Sequence, residues 1–306
     1  MEFSHISVMP NEVIELLNIR DNGIYVDGTA GGAGHSKLIA GRLNTGHLYA
    51  IDRDPDAVAV ATERLASYPA TVIEGNFSDM VSLLGEKGIT RVDGILLDLG
   101  VSSFQLDNGE RGFSYKQQGN LDMRMSKAGL SAGDVISSCD YTTLRDIFYK
   151  YGEEKFAPVI AKKIIAYRDT APITTTIQLA DIISEAVPAS YRRSGNPARK
   201  CFQALRIYVN NEIDMLSNAL TNCAGMLNEG GVLAVITFHS LEDRITKNTF
   251  KELCRGCICP PDIPVCVCGR KPQYEPCTKK AILPSQEETE SNKRSRSAKL
   301  RAIRKL

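Results

Sequence analysis

The chain has 306 residues, a formal net charge of +1, 43% hydrophobic residues and 24% charged residues. This is the composition of an ordinary globular protein. It excludes disordered, collagen-like and coiled-coil proteins, and the length indicates two domains or one domain with a large insertion. No apolar run approaches the roughly 18 to 20 residues that cross a bilayer, and the first residues lack the pattern of a signal peptide. The sequence therefore predicts a soluble, cytoplasmic protein that does not contact a membrane.

The first hundred residues alternate short β-type runs with segments of helical periodicity, of which residues 56–66 are the clearest. Such alternation is typical of an α/β protein with a doubly wound, mostly parallel sheet. Ligands bind such sheets at the carboxyl ends of the strands. The predicted strands are Ile24–Asp27, Leu48–Asp52, Val72–Ile73 and Gly94–Asp98.

Residues 109–210 contain no further β-type run, and their periodicity is helical. The helices predicted from this point on cover residues 141–151, 155–168, 177–187 and, as one long helix, 198–226. Strand character then returns over residues 230–238, before a capped helix start at Ser240. We therefore predict a discontinuous α/β domain over residues 1–108 and 211–306, with an inserted all-helical domain over residues 109–210.

The strongest local signal is a glycine-rich turn between the first strand and a helix, Asp27-Gly-Thr-Ala-Gly-Gly-Ala-Gly34. Glycines let the backbone approach a ligand closely. The dinucleotide fingerprint requires a third glycine where Lys37 stands, and the sequence has no Gly-Lys-Ser/Thr of a P-loop. Asp52 follows about 20 residues later, at the position of a carboxylate that accepts ribose hydroxyls. These facts favour a nucleoside ligand without a pyrophosphate, such as S-adenosylmethionine; a purely structural turn with surface acids is the alternative.

Three further residues near these strand ends are candidates for a site. Asp98 ends the fourth strand, where a substrate meets a cofactor in this fold, although a carboxylate there can also be a simple cap. Phe77 follows the third strand, where it would either stack on adenine or belong to the core. His35 lies in the first turn of the helix after the glycines, as a ligand contact, a general base or a solvated side chain.

Five of the nine cysteines lie between Cys254 and Cys268. Without a secretion signal, clustered thiols indicate a metal or redox site before structural disulfides. Two Cys-X-Cys pairs, Cys257 with Cys259 and Cys266 with Cys268, would present four thiolates if the segment folds back on itself. Structural zinc, reduced thiols in a surface loop and a labile redox pair all remain open; no catalytic metal is predicted.

Residues 291–306 carry seven basic and no acidic side chains. Such a run is typical of a tail that binds a polyanion such as nucleic acid. A solvated terminal helix is the alternative interpretation.

Ten runs along the chain, and a further one near its end, form a pattern that resembles one family. They are His5–Met9, Asp27–Ser36, Ala50–Pro55, Gly94–Ser103, Glu110–Ser114, Leu121–Met125, Tyr151–Phe156, Phe202–Ile207, Val209–Glu212 and Phe238–Arg244, with Arg294–Arg301 near the end. The chain resembles the bacterial small-subunit ribosomal RNA cytosine N4-methyltransferases, the RsmH or MraW family. The resemblance covers essentially the whole chain except the cysteine-rich segment.

The resemblance implies a class I, Rossmann-like methyltransferase that depends on S-adenosylmethionine. Members of this family methylate the exocyclic N4 amine of a cytidine in the decoding region of 16S ribosomal RNA. The implied partner is 16S ribosomal RNA within the small ribosomal subunit, and a second copy of the chain remains open as a partner. The cofactor contacts carried over by resemblance are Ala33, Gly34, His35, Asp52, Phe77, Asp98 and Gln105.

Methyl transfer to an amine requires mainly alignment of the amine, the methyl group and the sulfur, together with removal of a proton. Asp98 is the first candidate for the catalytic acceptor of the amine, and His239 or the turn at residues 240–243 is the second. Methylation at carbon 5 of cytosine would need a Cys nucleophile in the loop after the fourth strand, and residues 99–107 contain none.

The insertion also carries side chains that suit single-stranded RNA. A solvated surface is the alternative for each of them. Two other functions stay open, an RNA-binding assembly factor that does not bind the cofactor and a small-molecule methyltransferase. The predicted RNA-channel residues are Arg111, Arg124, Arg199, Lys200 and Arg206, with Phe113 or Tyr115 to stack on a base.

Overall fold

The structure is a computed structural model, and it describes residues 7–193, 195–260, 265 and 267–306. The chain forms two compact units, one over Met1–Gly100 with Ile213–Leu306 and the other over Val101–Glu212. We call them the sheet unit and the helical unit. Residues 101–108 and 211–212 thus belong to the helical unit, whereas the sequence placed them in the α/β domain.

The sheet unit is built on one mixed sheet. Its strands are β1 Ile24–Asp27, β2 His47–Asp52, β3 Ala70–Glu74, β4 Val92–Asp98, β5 Leu227–Thr237, β6 Tyr274–Pro276 and β7 Lys299–Lys305. Across the described residues their order is β3-β2-β1-β4-β5-β7-β6. The strands β1 to β5 pair in parallel, and β7 is antiparallel to both β5 and β6. The predicted doubly wound, mostly parallel α/β fold is confirmed, and each predicted strand overlaps an observed one.

Helices cover both faces of this sheet, and strand β4 shows why. Successive side chains of a strand point to opposite faces. Leu96 joins the core cluster on one face, while Ile95 and Leu97 join the cluster on the other. All three are fully buried, as expected for a central parallel strand with a near-continuous apolar run.

The α-helices of the described residues are numbered here in chain order. They are α1 Pro10–Leu17, α2 Gly34–Ala40, α3 Pro55–Leu65, α4 Met80–Gly85, α5 Ser103–Asp107, α6 Ala132–Ser138, α7 Tyr141–Gly152, α8 Ala157–Arg168, α9 Thr176–Ala186, α10 Ala189–Arg193, α11 Ala198–Asn210, α12 Leu216–Gly225, α13 Ser240–Leu253 and α14 Gln286–Ser291. Helices α5 to α11 lie in the helical unit, where α7 packs on α8 and α11. Among the helices that the structure describes, none has the length and apolar character of a membrane span.

The basic C-terminal segment is neither a free tail nor a terminal helix, so that prediction is wrong. Residues 299–305 form β7, which lies inside the sheet between β5 and β6. Leu300 and Ile303 are fully buried in it. The basic residues alternate with apolar ones at the period of a β-strand. A count of the charges alone does not reveal this alternation.

Basic side chains of β7 form ion pairs within the sheet unit. Lys299 Nζ lies 3.0 Å from Asp243 Oδ2, and Arg301 Nε lies 2.8 Å from Asp243 Oδ1. Burial favours the neutral form of Asp243, but the hydrogen bonds from Arg301 and Lys299 outweigh it and lower the pKa of this carboxyl. These ion pairs tie α13 to the last strand.

The single long helix predicted over residues 198–226 is also wrong. Helix α11 ends at Asn210, and α12 begins at Leu216. Asn211 ends α11 in the left-handed conformation with φ 51°, which asparagine adopts more readily than most residues. The break also separates the helical unit from the sheet unit.

Candidate functional site

The glycine-rich turn leads from β1 into α2 at the carboxyl end of the sheet. Gly31 and Ala33 both have positive φ, 51° and 61°, so the turn uses the left-handed region twice. A Cβ atom on Gly28 would lie 2.5 Å from Leu97 Cδ2 and 3.1 Å from Phe77 Cβ. The turn is therefore packed directly against the end of β4 and against Phe77, and it brings three predicted site segments together.

The start of α2 is equally crowded. Ala33 is fully buried and is the N-cap of α2. A Cβ atom on Gly34 would overlap Ser7 Oγ, so only glycine fits there without a shift. Ala33 and Gly34 thus set the path of the backbone, and contact with a cofactor would be made by that backbone.

Asp27, which ends β1, stabilises the turn from within. Ser36 Oγ donates to its Oδ2 at 2.6 Å, and the Thr29 N–H donates to its Oδ1 at 3.2 Å. Burial raises its pKa to about 6. Asp27 is not among the residues predicted for the site, although Ser36, nine residues later and buried on the following helix, was a signal for it.

Asp52, the predicted ribose ligand, ends β2 and also holds the turn. Its Oδ2 accepts from the Gly31 N–H at 2.7 Å, and its Oδ1 accepts from the Asp54 N–H at 2.9 Å. Burial raises the pKa of Asp52 to about 6 in spite of these two bonds. Since each carboxylate oxygen accepts more than one hydrogen bond, both oxygens keep capacity for a hydroxyl group.

His35 is a buried, neutral imidazole. Its Nε2 lies 2.9 Å from the Val8 carbonyl oxygen, which can only accept, so Nε2 carries the hydrogen. Burial lowers the pKa of His35 to about 4. The lone pair of Nδ1 then lies 3.5 Å from Asp98 Oδ2. His35 is therefore a neutral ring beside Asp98, and its predicted contact with the cofactor stays a prediction.

Asp98, the predicted catalytic residue, ends β4. Burial raises its pKa well above the usual value, and the charges of Asp27 and Glu242 act in the same direction. Its backbone N–H donates to Thr29 Oγ1 at 2.6 Å. Its Oδ1 is buried and has no hydrogen-bond partner among the described residues. An unpaired buried oxygen lowers the stability of the folded protein. Asp98 Oδ1 is therefore available to accept a hydrogen bond from a bound molecule.

Phe77 opens a short 3₁₀ helix, Phe77–Asp79, that follows β3 and is capped by Asn76. Its ring is partly buried and packs against the core cluster that contains Met80 and Leu84. Phe77 therefore belongs at least partly to the core, one of the two roles that the sequence left open for it. Stacking of the exposed part on adenine stays a prediction.

Gln105 lies in α5 of the helical unit and is buried. Its Oε1 accepts from the Ser102 N–H at 3.0 Å, and its own N–H donates to Ser102 Oγ at 3.2 Å. This is a capping box that begins α5. Its predicted contact with the cofactor stays a prediction.

The second candidate acceptor, the turn after β5, is occupied by helix capping. Glu242 Oε2 accepts from the Phe238 N–H at 2.8 Å, and the Glu242 side chain is buried. His239 caps the same helix through the Glu242 N–H. Asp243 is paired with β7, as described above, so this turn begins α13 and holds the last strand.

Several predicted RNA contacts of the helical unit are instead internal contacts. Arg111 is buried and donates to the carbonyl oxygens of residues 124 and 125. Arg206 forms a two-point pair with Glu212 at 2.8 and 2.9 Å, and Arg124 pairs with Asp122. Their guanidinium groups stabilise loops. The assignment to an open RNA channel is wrong for the buried Arg111, whereas for Arg124 and Arg206, whose side chains are 28% and 14% exposed, it stays a prediction.

The remaining predicted contacts differ in exposure. Phe113 is buried under the Arg111 guanidinium, whereas Tyr115 is half-buried with its ring edge against Phe202. Lys200 Nζ donates to the Glu153 carbonyl oxygen. Arg199 is exposed on α11.

The chain was also compared with known proteins. The model of the MraW methylase family matches residues 2–306. The chain is 50% identical to Ribosomal RNA small subunit methyltransferase H of Clostridium botulinum strain Loch Maree, with 100% of both chains covered. It is 50% identical to the protein of the same name from Brevibacillus brevis, covering 100% of this chain and 99% of that one. It is 47% identical to the one from Finegoldia magna, again with 100% of both chains covered.

Proposed function

The chain belongs to the MraW methylase family and is an S-adenosylmethionine-dependent methyltransferase, and we propose that it methylates the N4 amine of one cytidine in the decoding region of 16S ribosomal RNA. The relatives that support an RNA substrate are named for the small ribosomal subunit and match this chain over its full length. The partner in this proposal is 16S ribosomal RNA, within the small subunit and in the cytoplasm.

The sheet edge fits S-adenosylmethionine chemically. When bound, this cofactor supplies a methyl group on a positively charged sulfur. Asp52 keeps acceptor capacity for ribose hydroxyls, and the turn at Ala33, Gly34 and His35 presents closely packed backbone. Asp98 has an unpaired buried oxygen and a pKa raised by burial. A cationic ligand nearby would stabilise its ionised form and lower that pKa. We assign the adenine contact to Phe77 and a further contact to Gln105.

The observation that carries the choice of an amine substrate is the unpaired Oδ1 of Asp98. The lone pair of the cytosine amine is delocalised into the ring, so the amine is a poor nucleophile. An acceptor that bonds one of its hydrogens draws the nitrogen toward a tetrahedral arrangement. Asp98 has that acceptor at the end of β4, where the fold brings substrate and cofactor together.

Asp98 also suits removal of the proton that the methylated amine must lose. A base works best when its pKa lies near the operating pH, and burial moves the pKa of Asp98 in that direction. His35 holds its hydrogen on Nε2, toward Val8, and presents the lone pair of Nδ1 to Asp98 Oδ2. The neutral ring therefore orients Asp98 and offers an acceptor for a proton on Oδ2.

Methylation of a ring carbon is the alternative outcome for the same RNA. That reaction needs a Cys nucleophile in the loop after β4, and residues 99–107 contain no Cys. We therefore propose N4-methylcytidine, and not 5-methylcytidine, as the product.

We assign RNA binding to the helical unit. It carries 15 basic and 12 acidic residues, whereas the sheet unit carries 22 and 24. A net positive charge attracts phosphates regardless of base sequence. Arg199 on α11 is the most exposed of the predicted contacts, and Tyr115, Arg124 and Lys200 are half-buried.

The test is methylation by the purified protein of small subunits and of free 16S RNA, both from cells that lack its gene. Labelled S-adenosylmethionine and mass mapping of nuclease fragments identify the product and its position. We expect N4-methylcytidine at one site in the decoding region, and labelling at least about 100-fold slower with the Asp98→Asn variant. A labelled 5-methylcytidine, a site outside the decoding region, or no transfer to either substrate would overturn the proposal.

A further inference from the structure

The segment between α13 and β6, residues 254–273, is the part of the chain that methyl transfer does not explain. We call it the cysteine segment. Among its described residues the structure has no helix or strand. Its ends lie against each other, since a Cβ atom on Gly256 would be 3.0 Å from Pro272 Cδ. The segment is therefore a closed loop whose interior must be held by something other than secondary structure.

The described residues of this loop show no apolar packing that would hold it. Its apolar side chains Ile258, Val265 and Val267 are 50%, 70% and 77% exposed. The thiols of Cys257, Cys259 and Cys268 are also outside both core clusters of the sheet unit, whereas Cys254, at the start of the segment, packs against one of them. Small segments that cannot build an apolar core are commonly held by a metal ion or by disulfides.

The three thiols converge on one point. The sulfur atoms of Cys257, Cys259 and Cys268 all lie within 4.8 Å of one another, and those of Cys257 and Cys268 are 3.8 Å apart. A disulfide requires about 2.05 Å between sulfurs. Sulfurs held about 2.3 Å from a zinc ion at the corners of a tetrahedron lie about 3.8 Å apart. The separation fits a shared zinc ion and not a bond between the two sulfurs.

Backbone N–H groups are directed at two of these sulfur atoms. The Cys259 N–H donates to Cys257 Sγ at 3.4 Å, and the Val267 N–H donates to Cys259 Sγ at 3.4 Å. Hydrogen bonds of this kind orient sulfur atoms that bind a metal ion. Gly269 follows the last of these cysteines with φ 61°, a tight turn that lets the chain leave the cluster.

We propose that Cys257, Cys259 and Cys268 bind one Zn²⁺ ion through their sulfurs, and that this ion holds the cysteine segment closed. An all-thiolate donor set selects zinc, copper(I) or an iron–sulfur cluster, and of these zinc needs no redox chemistry. Cys266, which the sequence analysis grouped with them, lies outside the described residues and has no part in the proposal. Cys254 is separate from the cluster, and burial raises its pKa to about 11, so it stays a thiol.

The first experiment measures metal in the full-length protein purified without chelator or added metal. Elemental analysis should find about one zinc per chain in the native protein and less than about a tenth of that in each of the Cys257→Ser, Cys259→Ser and Cys268→Ser variants. Cys139→Ser, which removes a half-buried thiol from the helical unit, is the matched control and should keep its zinc. Equal zinc in the cluster variants and the control, or iron in place of zinc, would overturn the proposal.

The second experiment does not depend on the folding of any variant. The native protein is stripped with a chelator and titrated with Co²⁺, which gives a thiolate charge-transfer band and tetrahedral d–d bands when sulfurs bind it. Saturation at about one Co²⁺ per chain, reversed by Zn²⁺, is expected. Limited proteolysis should cut the cysteine segment faster in the stripped protein than after zinc is restored. If no cobalt bands appear, the cysteines are reduced surface thiols. If the thiol count of the untreated protein shows a disulfide, they form a redox pair. Either result would overturn the zinc proposal.

Discussion

The sheet unit holds its carboxylates in two opposite ways. At the ends of β1, β2 and β4, Asp27 is buried and Asp52 and Asp98 are half-buried, and desolvation raises the pKa of each. At the start of α13, Asp243 is paired with Lys299 and Arg301 of β7, and its pKa is lowered. Desolvation of the three strand-end carboxylates destabilises the folded protein, and their oxygens keep acceptor capacity for a ligand. The ion pairs of Asp243 stabilise the fold. The aspartates of this unit thus separate into candidate ligand-binding groups and a group that stabilises the fold.

Removal of residues 299–306 should have the largest effect. It deletes a strand that pairs on both sides and buries Leu300 and Ile303, so the loss should exceed the whole stability of a domain, about 5 to 15 kcal/mol. We expect insoluble protein, or soluble protein with no cooperative melting transition by circular dichroism. As point controls, Ile303→Ala should cost about 2 to 5 kcal/mol, whereas the exposed Arg304→Ala should change stability by less than about 0.5 kcal/mol. A folded truncation that only binds RNA less tightly would restore the interpretation of this segment as a polyanion-binding tail.

Asp98→Asn should have the next largest effect, on turnover. The amide keeps the shape and one acceptor oxygen but cannot hold the proton of the amine, so we expect turnover to fall about 10²- to 10⁴-fold at saturating cofactor. Single-turnover kinetics with the RNA substrate measures this.

The matched control for Asp98 comes from the other group of carboxylates. Asp243→Asn should cost about 1 to 3 kcal/mol of stability in a denaturant titration and leave turnover per folded molecule unchanged. If Asp98→Asn raises only the Michaelis constant for the cofactor, Asp98 is a binding contact and its catalytic role is wrong.

Asp52→Ala should weaken cofactor affinity more than RNA affinity. Its hydrogen bonds to ribose hydroxyls would be charge-assisted and worth about 1.5 to 3 kcal/mol, a loss of roughly 10- to 150-fold. Calorimetric titration with S-adenosylmethionine measures it. Glu74→Ala is the control, because Glu74 lies beside Asp52 in the register of β2 and β3 and is exposed. Equal affinities for both variants would mean that the ribose is held elsewhere.

The sequence predicted those features of the candidate site that depend on residues close together in the chain. The glycine turn, Asp52 and Asp98 follow strand ends that periodicity locates, and parallel strands bring their carboxyl ends to one edge. The unpaired Oδ1 of Asp98 and the tautomer of His35 were not predictable, because both depend on neighbours distant in sequence, such as Val8.

The basic residues show the limit of reading charge from sequence. Arg206 and Arg301 stand in basic patterns, but their partners Glu212 and Asp243 are known only from the fold. A guanidinium is available to RNA only if no carboxylate within the chain reaches it first. The sequence therefore located strands and helices better than it located the basic side chains that the fold leaves unpaired with carboxylates, which are the candidates for RNA contact.

The smallest expected effect is on pH dependence, and it separates the two groups of carboxylates without any mutation. The folded protein holds protons on Asp27 and Asp52 up to a pH of about 6, whereas the unfolded chain releases them near 3.8. The folded state therefore binds more protons between these values, so these two groups make stability rise as the pH falls from 6 toward 4. Asp243 acts in the opposite sense. Its stabilisation is present above its unfolded pKa and is lost only as the pH falls through its lowered folded pKa.

Cofactor affinity should follow the first group. A ligand that needs Asp52 ionised must displace its proton below a pH of about 6, so affinity should fall by up to about tenfold per pH unit from 6 to 5 while the melting temperature does not fall. Calorimetry at pH 7, 6 and 5, in buffers of different ionisation enthalpy, measures both the affinity and the protons released, with melting curves at the same pH values. Asp52→Asn should release fewer protons on binding and show a flatter slope. Constant affinity of the native protein from pH 7 to 5 would mean that the cofactor does not depend on ionised Asp52, and the division between ligand and structural carboxylates would lose its functional meaning.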